Sequence, residues 1–182
     1  MGRQKKTQYG FGFDPSINDP AWAVVGTDGS VRCGLIRNPY RKAEGLKTDH
    51  WAKLEVILDH MQAELGQVLK KLPPLVSWTC EGQYCQRRGN QEHNVRLGWV
   101  SSMVYTMGQG RAKRIIAVPA TWTKNKPKEL RHPELLDGLQ PEDKWVWVGP
   151  EAPPSLIHNV YDAVGLALWG LAKNMEVEHV GA

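Results

Sequence analysis

Three carboxylates stand where a buried core is expected. Asp14 closes the segment YGFGFD, Glu81 closes LVSWTCE, and Asp162 sits in HNVYDAVGLALWGL among Val160, Ala163, Val164, Leu166 and Ala167. The first two segments read as short apolar strands, the third as a helix. A charge in such a place is costly unless something cationic offsets it. Acids drawn together also repel one another. Hard divalent cations with oxygen ligands relieve both costs, and two of them about 3.5–4 Å apart are a recurrent device for phosphodiester cleavage. Asp14, Glu81 and Asp162 are therefore read as a site for Mg²⁺ or Mn²⁺, two ions per site. Singly, each acid has a plainer reading. Asp before Pro-Ser is turn chemistry, and a Glu after an apolar run is commonly solvated. The set of three, on one order of elements, carries the argument.

A fourth group is expected beside Asp162. His158 lies four residues before it, about 40° away around a helix. It can ligate a metal or handle the proton of an attacking water. Cysteine chemistry is not supported. There are three cysteines, an odd count, and Cys80 and Cys85 have no second pair at zinc-ligand spacing.

The elements that must position these groups follow from pattern. Strands are expected at about 8–14, 21–27 and 31–37, with TDGS as a type I′ hairpin turn. A helix follows over 50–71, capped by Thr48 or Asp49 and ended by Pro73-Pro74. Strand four covers 75–81, a second helix 94–108, and RIIAVPA forms strand five. A last helix covers 156–173, with Ser155 as its N-cap. Residues 125–152 hold four prolines and a short helical stretch, ELL. Their KWVWVG run suits an extra edge strand or a loop that covers helix surface. The order predicts an α/β protein with a mixed five-stranded sheet, three antiparallel strands then parallel ones, and helices on both faces. That is the pattern of the ribonuclease H-like fold. The 182 residues suit one domain, 1–182.

Charge narrows the partners. The net charge is +4, but the segment from Arg87 to Arg131 holds ten Lys/Arg and two acids, leaving the rest net acidic. A basic face of this kind suits a polyanion. No apolar run approaches the ~20 residues of a membrane span, so no membrane partner is expected. The basic N-terminus lacks the apolar stretch of a signal peptide, so a cytoplasmic protein is expected.

Four segments, GFDPS, WTCEGQY, NVRLGWVSSMV and HNVYDAVGLALWGL, resemble in order and separation the RuvC-type Holliday junction resolvases, crossover junction endodeoxyribonucleases. That family opens with a strand ending G-[IV]-D-P-G. It has an acid at the end of strand four, an aromatic three residues on, a Leu-Gly pair in its second helix and a final Asp-Ala. Here these fall on Asp14, Glu81, Tyr84, Leu97-Gly98 and Asp162-Ala163. Ser16 replaces a Gly, Gly82 a Gln, and Asn159 the acid or His three residues before the last acid. The resemblance implies a homodimer that binds a four-way DNA junction and makes symmetric paired nicks with two divalent metals per active site. Asp14 would bridge the ions, Glu81 and Asp162 would hold one each, and His158 would stand beside the second. The products would carry a 5′-phosphate and a 3′-hydroxyl. Tyr84 matches the family's wedge aromatic and would stack on an unpaired base. Arg87 and Arg88 would grip phosphate. Arg111, Lys113, Arg114, Lys124, Lys126 and Lys128 would line the DNA-facing side. A ribonuclease H, a debranching nuclease and a junction binder that cannot cut are the competing readings. The last is kept alive by Asn159, because an amide is no base.

Overall fold

The computed structural model describes residues 6–37, 50–82 and 91–180. Its order starts with side-chain alternation in YGFGFD. Successive residues of a strand point to opposite faces. In β1 (Tyr9–Asp14), Phe11 and Phe13 enter one apolar core, while Gly10 and Gly12 lie under a helix on the other face. The same division runs through β2 (Ala21–Gly26), where Trp22 and Val24 join the phenylalanines and Ala21, Ala23 and Val25 take the opposite side. In β4 (Ser77–Glu81), Trp78 stacks on Phe11 at 4.0 Å, and Ser77 and Thr79 face the other way.

β3 (Val31–Leu35), β5 (Lys113–Ala117) and β6 (Val146–Trp147) complete a six-stranded sheet in the order β5-β4-β1-β2-β3-β6. β1, β2 and β3 are antiparallel. β4 runs parallel to both β1 and β5, and β6 parallel to β3. The sixth strand comes from KWVWVG, where the sequence left an edge strand open.

Helices cover both faces. α1 (His50–Leu69) and α2 (Gln91–Met107) close the aromatic core through Leu54, Ile57, Met61, Leu65, Val100 and Val104. α5 (Ile157–Val180) lies on the small-residue face. α3 (Pro119–Thr123) and α4 (Lys128–Leu136) fill the tract between β5 and β6. Among the described residues no helix is long and apolar enough to cross a membrane.

Three local expectations are corrected. The hairpin after β2 is not type I′, which needs positive φ at both central residues. Only Gly29 is left-handed, at φ 78°, and the Gly29 N–H bonds to the Gly26 carbonyl at 3.0 Å. The turn is a type I turn with a glycine bulge, stabilised by Asp28, which accepts from the Ser30 N–H at 3.1 Å. Strand five stops at Ala117, because Pro119 starts α3 at a position where its missing N–H is harmless. Ser155 lies in a turn ahead of α5 rather than at its cap. There the Leu156 N–H bonds to the Pro153 carbonyl at 2.8 Å.

Candidate active site

Period two puts Asp14 on the face of Gly10 and Gly12, and Glu81 on the face of Ser77 and Thr79. Both acids therefore project toward α5. The parallel β1–β4 register, Gly10 beside Ser77 through Phe13 beside Cys80, brings Asp14 level with Glu81 when carried one residue further. Neighbouring strands lie about 4.8 Å apart.

α5 comes close because the surfaces beneath it have almost no side chain. A Cβ on Gly12 would run into the Ala163 carbonyl and the Ala167 backbone, and one on Gly170 into the Thr79 hydroxyl. This seat sets Asp162 beside the two strand ends. The strand end is also held from the other face, where the Ser101 hydroxyl donates to the Glu81 carbonyl at 2.9 Å.

The three acids share one electrostatic field. Burial, then the charges of Asp162 and Glu81, push the Asp14 carboxyl well above its ordinary value, against the pull of Lys128 and Arg131. Burial also raises Glu81. A hydrogen bond from the Trp122 indole N–H to Glu81 Oε1, at 3.0 Å, works the other way. Asp162 is buried, which alone would raise it. Bonds from Lys128 and His132 and the charges of Lys128 and Arg131 outweigh that, so it is lowered.

The side chains that meet Asp162 come from one face of α4. Residues 128, 131 and 132 have the i, i+3, i+4 spacing of helix neighbours. Arg131 and His132 both donate to Oδ1, His132 at 2.9 Å, and the Lys128 ammonium lies 2.5 Å from Oδ2. Arg131 is itself buried, with its guanidinium over the Trp122 ring, 4.6 Å from the centroid. In the sequence Lys128 reads as a DNA-facing lysine and Arg131 only as basic charge, while Trp122 and His132 carry no assignment. Their spacing was the available signal.

His158 reaches the same site. Partial burial and the Lys128 charge lower its pKa, with Asp162 opposing and His132 adding to the fall. Asn159 is committed elsewhere. Its amide donates to the Asp19 carbonyl at 3.1 Å and ties α5 to the turn after β1. His158, and not Asn159, stands in the field of Asp162.

The expected DNA-contacting residues are spread out. Tyr84, Arg87 and Arg88 lie outside the described residues. Arg111 and Lys113 stand at the start of β5, the opposite end from the Glu81 level, and Arg114 lies over Tyr105 at 4.6 Å. Lys124 is exposed at a left-handed position, φ 52°. Lys126 is exposed but paired with Glu134 at 2.6 Å. A cleft of about 420 Å³ opens beside Glu81, with Gly98 and Asn94 of α2 on its far wall.

Among the described residues no three His, Cys, Asp or Glu side chains are gathered into a ready metal cage. Asp162 is turned to α4 instead. The donor chemistry nonetheless fits a hard cation: carboxylate oxygens dominate, and burial together with the charges of Asp162 and Glu81 pushes Asp14 toward its neutral form. The buried thiols of Cys33 and Cys80 stay outside this chemistry, and burial pushes Cys33 up to about 12.

No protein-family model matches the chain, and no curated protein does. Among solved structures it is similar to Thermus thermophilus RuvC in complex with a Holliday junction substrate. The TM-score is 0.58 at 17% identity, covering 91% of this chain and 95% of that one. A second T. thermophilus RuvC structure gives 0.55 at 16%, covering 88% and 92%. At such identities the likeness is one of architecture, and the chain has the fold of RuvC.

Proposed function

We propose that this protein is a metal-dependent endonuclease that binds four-way DNA junctions as a homodimer and nicks two symmetric strands. One observation carries the reading. Two carboxylates end neighbouring parallel strands and a third lies close by on α5, near enough that Asp162 and Glu81 both raise Asp14. The fold shared with a RuvC seen on a Holliday junction supports the choice of substrate.

Asp14, Glu81 and Asp162 would hold Mg²⁺ or Mn²⁺, with His158 beside Asp162. When bound, such ions supply charge stabilisation at the scissile phosphate and a nucleophilic water at neutral pH. The chain's own groups do the rest. His158, biased toward neutral imidazole, accepts the proton of the attacking water. Lys128, half-exposed on Asp162 Oδ2, is the group whose departure would free that oxygen to hold an ion, and its charge would then be available to phosphate. The products carry a 5′-phosphate and a 3′-hydroxyl. Dimerisation would use the outer face of α2, where Val95 is 45% and Trp99 58% exposed, with Trp51 of α1 edge-on to Trp99.

A second reading has one observation in its favour. Both oxygens of Asp162 are already met by cations of the chain, as in a junction binder that cannot cut. One gel assay separates the readings. A synthetic four-way junction, a plain duplex and an RNA–DNA hybrid are incubated with the protein and Mg²⁺, Mn²⁺ or EDTA. Paired symmetric nicks confined to the junction are expected. Hybrid cleavage, or a metal-independent band shift with no product, would overturn the proposal.

A further inference from the structure

We propose that Trp122 and Arg131 are positioning residues, one stack that holds Glu81 and Asp162 at a fixed separation and selects which oxygen of Asp162 is open to an ion. The inference rests on the endonuclease reading above.

The stack is continuous. The Trp122 indole N–H donates to Glu81 Oε1 at 3.0 Å. The Arg131 guanidinium lies over the same ring, 4.6 Å from its centroid, and donates from Nη2 to Asp162 Oδ1. Trp122 is 7% exposed and Arg131 8%, too enclosed for either to be a backbone-gripping group. A planar indole under a planar guanidinium is also stiff. The planar fork of the guanidinium is pre-organised, so it loses less freedom per hydrogen bond than a lysine would.

The second consequence concerns Asp162. Each carboxylate oxygen has about two lone-pair sites. Arg131 and His132 together use those of Oδ1, and both side chains are largely buried. Oδ2 is met by Lys128, whose side chain is 48% exposed and free to swing away. The stack therefore leaves Oδ2 as the exchangeable oxygen. Groups that hold metal-binding side chains in this way typically change metal affinity or activity about 10–100-fold when altered.

The test uses the full chain and two conservative variants. Trp122→Phe keeps a ring under the guanidinium and removes the N–H. Arg131→Lys keeps the charge and removes the stack. Mn²⁺ binding is read by calorimetry, junction affinity by gel shift in EDTA, and nicking in single turnovers. Mn²⁺ affinity and nicking should each fall about 10–100-fold, with junction affinity in EDTA unchanged. A lower melting temperature with wild-type Mn²⁺ affinity would mean packing alone and would overturn the proposal. Tighter Mn²⁺ binding would mean competition and would also overturn it. If Arg131→Lys does not fold, Trp122→Phe decides. Wild-type protein that binds no Mn²⁺ and cuts nothing would sink the endonuclease reading itself. Wild-type binding matched by both variants would sink only the positioning role.

Discussion

On one side of the site, Asp14 and Glu81 are fixed by the sheet; on the other, Lys128, Arg131 and His132 ride on a nine-residue helix between two loops. The acids owe their place to strand pairing and to the close seat of α5. The α4 groups owe theirs to the packing of Leu135 and Leu136 against the core and to a few further ties. Lys126 meets Glu134 beside the helix, the Gln140 N–H bonds to the Gly29 carbonyl beyond it, and the rings of His132 and Tyr161 meet edge to face. The difference has a physical cause. Burial makes the acids costly, so the sheet must hold them there, while the helix brings charges that offset the cost. An acidic wall built into the sheet, met on Asp162 Oδ2 by a half-exposed lysine, suits a site in which a charge of the chain gives way to ions from solution.

Removing an acid from the rigid wall is the strongest way to break that contrast. Asp14→Asn should lower junction nicking by at least about 100-fold, as loss of a charge-handling group does, with junction binding retained. Cutting at the wild-type rate would end the metal-site account. Without metal, the same change should stabilise. The native Asp14 carboxyl holds its proton more tightly than the unfolded one. Its contribution is therefore fully present below the ordinary carboxylate range, about 3.9, and is lost as pH rises through the native value. Asp162 has the opposite sign, because its native pKa is lowered, and its contribution is lost as pH falls. In EDTA, Asp14→Asn should melt a few degrees above wild type at pH 7–8, with the gap closing toward pH 4. A gap that persists at pH 4 would show that the gain has another source.

The seat of α5 is the next largest lever. Gly12→Ala places a methyl group against the Ala163 carbonyl and the Ala167 backbone, neither of which can rotate away. Overpacking of this kind costs about 1–3 kcal/mol. The melting temperature should fall by roughly 2–12 °C. Mn²⁺ affinity should fall with it, because Asp162 moves off the strand ends. A fall in stability alone, with Mn²⁺ binding unchanged, would mean that α5 does not need this close contact to build the site.

The two walls also differed in how far the sequence disclosed them. β1, β4 and α5 carry strict local periods, so Asp14, Glu81 and Asp162 stand out against apolar neighbours. The parity of residues 10, 12 and 14, and of 77, 79 and 81, even determines which face they take. The basic wall has no such pattern. Pro127 and Pro133 flank and interrupt α4, and its only buried side chain is an arginine, so no apolar stripe marks a helix. Arg131 looks like surface charge until the fold shows a ring beneath it and a carboxylate in front. Trp122 looks like the tail of a strand, because the start of α3 depends on Pro119 and not on a run of helix formers. The Asp28-Gly29 pair shows the limit at single-turn scale. The same two residues serve a type I′ turn or a type I turn with a bulge, and the choice lies in the φ of Asp28. Asn159 and His158 were separable only by their partners, Asp19 for one and the acid field for the other.

The smallest effect tests the tether itself. Lys124 and Asn125 are both left-handed, at φ 52° and 57°, where the chain turns from α3 into α4. The turn is secured by the Lys126 N–H on the Thr123 carbonyl at 3.0 Å. A left-handed residue with a Cβ costs about 1–2 kcal/mol, less for Asn, whose side chain bonds locally. Lys124→Gly removes that strain but loosens the unfolded chain, which returns about 0.4–1 kcal/mol. The net should be a rise in melting temperature of about 1–3 °C. Lys124→Ala keeps the strain and should show no rise. Both variants lose one exposed charge. If Lys124 meets phosphate, both should reduce the salt slope of junction binding by about 1, whichever way stability moves. A slope that falls for both variants, with stability rising for glycine alone, would separate the lysine's two roles: its backbone strains the turn that carries α4, and its charge faces the DNA. Equal melting temperatures for all three proteins would show instead that this turn is set by α3 and by the packing of Leu135 and Leu136 of α4 on the core.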